Sequence, residues 1–329
     1  MSTTLTTTLS PINYVIDGML PQHETSILAG ASGAGKSTLV AQALATIVNG
    51  EDAFFNRRIS YPVRIGLIAA DRSWRSYLEL AARVGMNVAA IQAISIVDDR
   101  SVNVNRLESD SMGLLFELIQ RFEAPDLVVV DPFVTFLGVD ANNYSKVAPR
   151  LIRVNRFCND HHVTLLGTHH ATKARSDYTF KRAQDRVSGS SALLGFTSTQ
   201  LFLAAPEEIG KPWAEFVIVP HNRPAETIRL GRDDAGRFIR YGDDAVGSAL
   251  GDAILQFLAR GPSSREAVQA ATRIDRATLE DLVDQLVGAQ AVEVGKGGTL
   301  MLGARGGSTA MADVITGHAA GHNGHTPAP

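Results

Sequence analysis

Short apolar runs alternate with longer amphipathic stretches between residues 25 and 205 of the chain. The apolar runs have the length of buried strands and predict strands at Thr25–Ala29, Val63–Ala69, Leu127–Val130, Val163–Gly167 and Gln200–Ala204. The amphipathic stretches predict helices at Lys36–Val48, Ser76–Val84, Leu107–Phe122 and Val147–Asp160. Strands that alternate with helices are typical of an α/β fold with a largely parallel central sheet, covered by helices on both faces.

The pattern changes toward the C-terminus. Phe216–Val219 predicts a further strand, and "ETIRL" and "RFIRY" predict an edge hairpin around "DDAG". Between Gly251 and Gly303 the spacing predicts three short helices, then two strands joined by a glycine turn, which is the layout of a winged helix. We expect a flexible N-terminus at residues 1–11, a large domain at 12–245, a winged-helix-like domain at 250–303 and a disordered tail at 304–329.

The composition limits the classes of function. The formal net charge is −3, so any DNA contact requires a local basic patch rather than a basic surface overall. The single cysteine, Cys158, excludes an intramolecular disulfide framework and suits a reducing compartment. The chain start lacks the pattern of a signal peptide, and no run reaches the ~18 apolar residues of a membrane span. We expect a cytoplasmic protein without membrane contact.

The segment "GASGAGKS" matches the phosphate-loop pattern G-x-x-x-x-G-K-[ST] in full and lies between a predicted strand and a predicted helix. Glycines let the backbone wrap around phosphates with its amide groups pointing inward, and the helix presents its positive N-terminal end. Lys36 is expected to reach the β- and γ-phosphates of ATP, and the Ser37 hydroxyl to bind Mg²⁺. The predicted ATP-binding residues are Gly30, Ala31, Ser32, Gly33, Ala34, Gly35, Lys36, Ser37 and Thr38.

Two aspartates follow apolar strands. Asp131 ends "DLVVVD", where a carboxylate reaches Mg²⁺ through water as a Walker B aspartate does; a structural strand-end aspartate is the alternative. Asp71 follows "IGLIAA" and is a candidate for orienting the attacking water, although it could also cap the following helix. The pair His169 and His170 in "LLGTHHATK" allows four roles: metal ligand, general base, phosphate sensor or ordinary polar residue. Adjacent residues of a strand point to opposite faces, which argues against one shared metal.

These segments together resemble the RecA-like P-loop ATPases, in the branch of the KaiC-like, RadA-like and DnaB-type proteins, and above all the RepA-like ATPases of plasmids and phages. The likeness covers roughly residues 12 to 240 and rests on "DGMLPQHETSILAGASGAGKSTL", "DPFVTFLGVDANN", "LLGTHHATK" and "RVSGSSALL". It implies a RecA-like fold, ATP as substrate and Mg²⁺ as cofactor. The branch usually has a glutamate where Asp71 stands, and the shorter side chain implies an adjusted site or slow hydrolysis.

The resemblance also assigns residues beyond the phosphate loop. Members of this group often carry Lys-x-Arg after a late strand, and "HNR" stands there in this chain, so Arg223 is the candidate arginine finger; a surface ion pair is the alternative. A finger implies a homo-oligomeric ring or filament, possibly a hexamer. His169 or His170 would sense the γ-phosphate. The basic loop that follows would contact single-stranded DNA, with Lys173, Arg175, Lys181 and Arg182 as candidate contacts.

The predicted recognition helix of the C-terminal module, Asp275 to Gln285, is acidic. It carries Arg276 against Asp275, Glu280, Asp281 and Asp284, which suits a protein partner better than a groove lined by phosphates.

For the whole chain, the leading hypothesis is an oligomeric Mg-ATP-dependent helicase or other DNA-replication or repair motor acting on single-stranded DNA. An ATP-gated regulatory or partner-loading switch is the second hypothesis, and a small-molecule kinase is the third.

Overall fold

The computed structural model describes residues 12–170, 193, 195–209, 213–241, 249–274 and 276–304. The chain divides into two compact units. One comprises Met1–Ile228 and Arg232–Phe238, and the other comprises Arg229–Gly231 and Ile239–Pro329. The predicted domain limits at residues 245 and 250 stay predictions. The predictions for residues 1–11 and for the tail beyond residue 304 lie outside the described residues.

The first unit contains strands and helices in alternation. Its strands are β1 (Tyr14–Ile16), β2 (Leu20–Pro21), β3 (Thr25–Gly30), β4 (Ala53–Phe54), β5 (Arg57–Arg58), β6 (Ile65–Ala69), β7 (Ile91–Ser95), β8 (Leu127–Asp131), β9 (Thr164–His170), β10 (Thr199–Ala204) and β11 (Ala214–Pro220). Its helices are α1 (Lys36–Val48), α2 (Trp74–Val84), α3 (Arg106–Ser109), α4 (Ser111–Gln120), α5 (Tyr144–His161) and α6 (Pro206–Ile209). Two further strands, β12 (Glu226–Arg232) and β13 (Phe238–Arg240), contain residues of both units.

The central sheet of the first unit has the strand order β11-β10-β3-β9-β8-β6-β7. Every neighbouring pair from β10 to β7 is parallel, and only β11 runs antiparallel to β10. The predicted largely parallel sheet is therefore confirmed. Strands β3, β6, β8 and β10 are buried along their whole length, as expected for strands covered on both faces. Their carboxyl ends meet at one edge, where ligands of open α/β sheets bind.

Helix α5 shows how the sequence places one of these covering layers. Its buried residues Val147, Leu151, Val154 and Cys158 recur at helical spacing and pack into the core beside β8 and β9. Asn143 caps the start of the helix, because its side chain accepts a 3.2 Å hydrogen bond from the amide of Lys146. Burial raises the pKa of the Cys158 thiol to about 12, so this residue is a packed apolar group rather than a nucleophile.

Three details differ from the sequence prediction. The single helix predicted at Leu107–Phe122 is wrong, because Asp110 adopts an extended φ of −153° and separates α3 from α4. The Asp110 carboxylate accepts a hydrogen bond from the amide of Gly113 and caps α4. This cap favours the start of a new helix at Asp110 over one continuous helix. Strand β7 was not predicted, since its partly exposed residues lack an apolar run. The strand predicted to end at Gly167 continues to His170.

The second unit contains three helices followed by a strand pair. They are α7 (Ala249–Leu258), α8 (Arg265–Thr272), α9 (Arg276–Gly288), β14 (Val292–Val294) and β15 (Leu300–Leu302). The strands pair antiparallel, and the helices bury a separate core that includes Ile254, Val268, Val283 and Leu286. This is the predicted order of elements, whereas the winged-helix assignment itself stays a prediction. Asp275, at the predicted start of the recognition helix, lies outside the described residues.

Candidate functional site

The phosphate loop joins the central strand β3 to helix α1. Gly33 and Gly35 have φ values of 85° and 100°, the left-handed region that glycine adopts without steric penalty. A Cβ on Gly35 would also lie 2.3 Å from Nη2 of Arg232 and 2.9 Å from the ring of Phe238, whereas Gly33 faces open space. Gly33 is therefore required by backbone geometry alone, whereas Gly35 is required by close packing as well.

Lys36 is held at the mouth of this loop. Its Nζ donates to the carbonyl oxygens of Gly30 and Ala31 at 2.8 Å and 2.9 Å, and the residue is only 7% exposed. Burial lowers the pKa of the Lys36 ammonium, and the negative charge of Asp131 partly opposes this shift. The amine is thus a buried, anchored donor beside the loop amides, in the position from which a P-loop lysine reaches phosphate.

Asp131 and Thr168 form a buried pair at the ends of β8 and β9. The hydroxyl of Thr168 donates a 2.5 Å hydrogen bond to Oδ1 of Asp131, and both residues are less than 5% exposed. Oδ2 of Asp131 is also buried, and it has no hydrogen-bond partner among the described residues. A buried carboxylate oxygen without a partner is costly unless a cation or water satisfies it. The pair thus has the chemistry of a divalent-metal anchor.

One cavity of about 360 Å³ connects these groups. It brings together most of the residues predicted from sequence and several that were not. The predicted residues are Ser32, Gly33, Gly35, Lys36, Ser37, Thr38, Asp71, Asp131 and His170. The additional residues are Arg72, Ser76, Glu79, Leu80, Arg83, Pro132 and Thr168. The predicted residues Gly30, Ala31, Ala34, His169 and Arg223 are not part of this lining.

Asp71 reaches the cavity just beyond the end of β6. Its side chain is about half exposed, and Oδ1 lies 3.5 Å from Nε of Arg72. Ser73, and not Asp71, caps helix α2, because its hydroxyl accepts from the amide of Ser76. The alternative role of Asp71 as helix cap is therefore wrong. Its carboxylate lines the cavity and lies beside the guanidinium of Arg72.

The two histidines separate as strand geometry requires. His169 is 3% exposed and pairs in register with Ala29, while His170 is exposed and pairs with Gly30 at the start of the phosphate loop. Only His170 of the two lines the cavity. Of the pair, His170 is thus the one that reaches the cavity, and its role as a phosphate sensor stays a prediction.

Helix α2 contributes to the cavity a face that the motifs of the sequence did not predict. Ser76, Glu79, Leu80 and Arg83 stand at i, i+3, i+4 and i+7, so they share one side of the helix. The signal for this face is the helical spacing directly after Asp71, which is also the spacing of any amphipathic helix. Thr168 carried no such signal, since a threonine inside an apolar strand is ordinary.

Arg223 lies elsewhere in the first unit. Its Nη1 is 3.0 Å from Oδ1 of Asp17, and its guanidinium lies 4.7 Å above the ring of Tyr14. The pair with Asp17 is about half exposed, so Arg223 makes the surface ion pair that was the alternative to a finger. A role in a neighbouring subunit stays a prediction.

A second arginine, Arg232, does contact the phosphate loop of its own chain. Its Nη2 donates to the carbonyl of Ala34 at 3.4 Å, and its guanidinium stacks 4.1 Å above Phe238. Gln42 of helix α1 bonds both backbone groups of Phe238, donating at 2.6 Å and accepting at 2.9 Å. Sequence gave no sign of this arrangement, because these residues are far apart in the chain. The predicted DNA contacts Lys173, Arg175, Lys181 and Arg182 lie outside the described residues.

A parallel sheet with a phosphate loop after its central strand and a buried aspartate at the end of a nearby strand defines a RecA-like P-loop ATPase domain. Residues 2–176 match the family model described as "AAA domain", and the chain belongs to this family. A KaiC-like protein from the hyperthermophilic archaeon Pyrococcus horikoshii OT3 has a similar structure, with a TM-score of 0.50 and 14% identity over 70% of this chain and 100% of that chain. No curated protein matches the sequence.

These comparisons confirm the predicted RecA-like P-loop ATPase of the KaiC, RadA and DnaB type. At 14% identity the structural likeness shows the fold alone. The particular likeness to plasmid and phage RepA proteins stays a prediction. In the part of the chain that the structure describes, no helix is long and apolar enough to cross a membrane.

Proposed function

We propose that this protein binds and hydrolyses Mg²⁺-ATP in the cavity between the phosphate loop, Asp131 and helix α2. We further propose that it works as a homo-oligomeric helicase or related DNA-replication or repair motor on single-stranded DNA. The observation that carries the ATPase proposal is the buried constellation of Lys36, Asp131 and Thr168 at the carboxyl edge of the sheet. The chain as a whole is slightly acidic, so its composition supports DNA binding by such a motor only through local basic segments.

The residues present fit a divalent cation. Thr168 holds Oδ1 of Asp131, and Oδ2 is buried without a hydrogen-bond partner among the described residues. Ser37 supplies a hydroxyl in the same cavity. Mg²⁺ prefers such oxygen ligands and, when bound, would neutralise charge that develops on the phosphates. The chain itself would hold the phosphates through the loop amides and Lys36, fix the Asp131 carboxylate through Thr168, and place Asp71 to orient water.

Two further roles follow from the same edge of the sheet. His170 would register the γ-phosphate and pass its loss to the segment that follows, which holds the proposed DNA contacts Lys173, Arg175, Lys181 and Arg182. Arg223 would leave its ion pair with Asp17 and complete the site of an adjacent subunit. An exposed pair of this kind is worth less than about 1 kcal/mol, so subunit contact could replace it.

The experiment that tests the proposal measures ATPase rate with and without single-stranded DNA while recording oligomer mass. Lys36→Ala should abolish turnover, and unchanged turnover would overturn the site. DNA-stimulated turnover by a ring or filament supports the motor. Mixing Lys36→Ala with Arg223→Ala subunits should restore part of the activity, because one boundary then contains an intact shared site. No recovery in a confirmed mixed oligomer would remove Arg223 from catalysis.

An ATP-gated switch that hydrolyses slowly and does not unwind DNA is the second candidate. The favouring observation is that Asp71, one methylene shorter than glutamate, lies beside Arg72 at 3.5 Å. The acidic residues Glu280, Asp281 and Asp284 of helix α9 would then face a protein partner. Slow turnover that DNA does not change supports this candidate.

A further inference from the structure

Helix α5 carries an unusual concentration of positive charge. The segment from Lys146 to Arg156 contains four cations, Lys146, Arg150, Arg153 and Arg156, and no carboxylate. At 100° per residue the four fall within roughly a third of the helix circumference, and of the buried residues of this helix only Phe157 lies within that arc. Lys146, Arg153 and Arg156 are exposed, and Arg150 is partly exposed. For a chain with a net charge of −3, this face is a marked local departure.

Arg153 interacts with the charge of Asp110 and with the ring of Phe116, but this face makes no ion pair among the described residues. None of the four cations forms an ion pair with any described carboxylate, and the single acidic residue of the helix, Asp160, lies beyond them near its end. Arg150 donates to the backbone carbonyl of Lys146, and Arg153 lies 5.7 Å from the ring centre of Phe116. Like charges this close repel one another, so the array lowers folding stability unless a polyanion is bound.

The array starts near the N-terminal end of α5. The helix begins at Tyr144, after its cap residue Asn143, and only a short segment separates this end from Asp131 of the ATP site. Lys146 and Arg156 are ten residues apart, about 15 Å along the axis, a length over which a nucleic-acid strand presents several phosphates.

We propose that this face of α5, comprising Lys146, Arg150, Arg153 and Arg156, binds the backbone of single-stranded nucleic acid. Guanidinium groups pair with phosphate in a forked geometry, and contacts to the phosphate backbone need no sequence preference. A linear row of cations without interspersed acids fits a continuous polyanion better than the mixed charges of a protein surface. The inference rests on the proposed function, which it deepens by naming a contact surface outside the loop predicted from sequence.

The test uses the full chain with a non-hydrolysable ATP analogue and a labelled oligothymidylate or oligouridylate, followed by fluorescence anisotropy at several salt concentrations. The first variant replaces Lys146, Arg150, Arg153 and Arg156 with glutamine. The matched control replaces four other exposed arginines that form no described ion pair: Arg58, Arg100, Arg260 and Arg273. Both variants remove four positive charges, so a difference between them reports position rather than net charge.

We expect the α5 variant to bind at least about ten-fold more weakly at low salt, and its plot of log K against log salt to flatten by about 0.7 for each lost phosphate contact. The control should bind within about two-fold of wild type. ATPase activity without nucleic acid should stay unchanged in both variants.

The outcomes separate this inference from the proposed function. Equal binding by wild type and the α5 variant overturns the inference alone. Absence of binding by wild type overturns both the inference and the DNA part of the proposed function, while the ATPase assignment is judged by its own measurement. If the quadruple variant melts early, the four single glutamine variants replace it, and unchanged slopes in all four overturn the inference. A preference between the two oligonucleotides identifies the natural ligand as DNA or RNA.

Discussion

The Thr168 hydroxyl and the Asp131 carboxylate form a 2.5 Å hydrogen bond between neighbouring parallel strands, at the edge of the sheet where the phosphate loop begins. The bond uses Oδ1 and leaves Oδ2 without a hydrogen-bond partner among the described residues. Thr168 therefore positions the carboxylate that we propose anchors the cation, and its contribution is separable from that of Asp131 itself.

Thr168→Val keeps the shape of the side chain but removes the donor. We expect the Mg²⁺ concentration for half-maximal ATPase activity to rise about 10- to 100-fold, since outer-shell partners of metal ligands have effects of this size. Thr168→Ser retains the hydroxyl and should stay close to wild type. Mg²⁺ titration of turnover measures both. A valine variant with an unchanged Mg²⁺ requirement would show that Asp131 needs no partner.

Asp71 is predicted to orient the attacking water. Asp71→Asn should lower kcat at least about 100-fold, as expected for loss of a positioned base, with little change in ATP affinity. Asp71→Glu restores the longer side chain and should raise kcat several-fold. The exposed Asp234→Asn serves as the control for loss of a carboxylate. Single-turnover experiments measure the rate of ATP hydrolysis directly. An unchanged rate in Asp71→Asn would assign Asp71 a structural role.

The two left-handed glycines of the phosphate loop should respond differently to alanine. Gly33→Ala meets open space, so it should lower the free energy of unfolding by only about 1–2 kcal/mol, the penalty for a side chain at positive φ. Gly35→Ala should be more destabilising, because its Cβ would also collide with Arg232 and Phe238. Urea unfolding of the two variants compares them directly. Equal destabilisation would mean that Arg232 moves away freely.

Tyr77 of helix α2 is fully buried, and its hydroxyl has no hydrogen-bond partner among the described residues. Burial raises its pKa, so the phenol stays neutral. Removing an unsatisfied buried polar group relieves a penalty, and Tyr77→Phe should raise the free energy of unfolding by about 1 kcal/mol. The matched variant is Tyr61→Phe. The Tyr61 hydroxyl donates to the carbonyl of Glu51 at 2.8 Å, so its loss should destabilise the protein by a similar amount. A less stable Tyr77→Phe would show that the hydroxyl is satisfied.

Lys36 should make stability depend on pH in a defined direction. Its pKa in the folded protein lies below the ordinary 10.5 because of burial. Between these two values the unfolded chain binds more protons than the folded protein, so stability rises with pH in that window. Lys36→Met removes the group. The stability advantage of methionine should therefore be largest near neutral pH and shrink as pH approaches 10.5. Denaturant unfolding across pH measures the difference, with Lys296→Met as the control for losing an exposed amine. A constant difference would contradict the burial effect.

The sequence was sufficient to predict an element or a site wherever the local residue pattern and the chemistry of the residues coincide. The phosphate loop needs glycine, lysine and serine at fixed spacing between a strand and a helix, and the structure has β3 and α1 at these positions. Apolar runs located five strands of the sheet, because strands covered on both faces contain little else. The same rule failed for β7, whose residues are partly exposed, and for α3 and α4, where the Asp110 side chain interrupts the helix.

Sequence by itself determined the class of this protein: a parallel α/β sheet, a phosphate loop and a carboxylate at the end of a buried strand. Tertiary structure alone decided which groups share the cavity. Thr168 reaches Asp131 because β9 runs parallel to β8, and Arg232 reaches Ala34 across 198 positions of the chain. Strand alternation required His169 and His170 to differ, but only the register with β3 placed His170 at the phosphate loop. Periodicity describes a residue's own element, whereas a site depends on pairings between elements that no local pattern encodes.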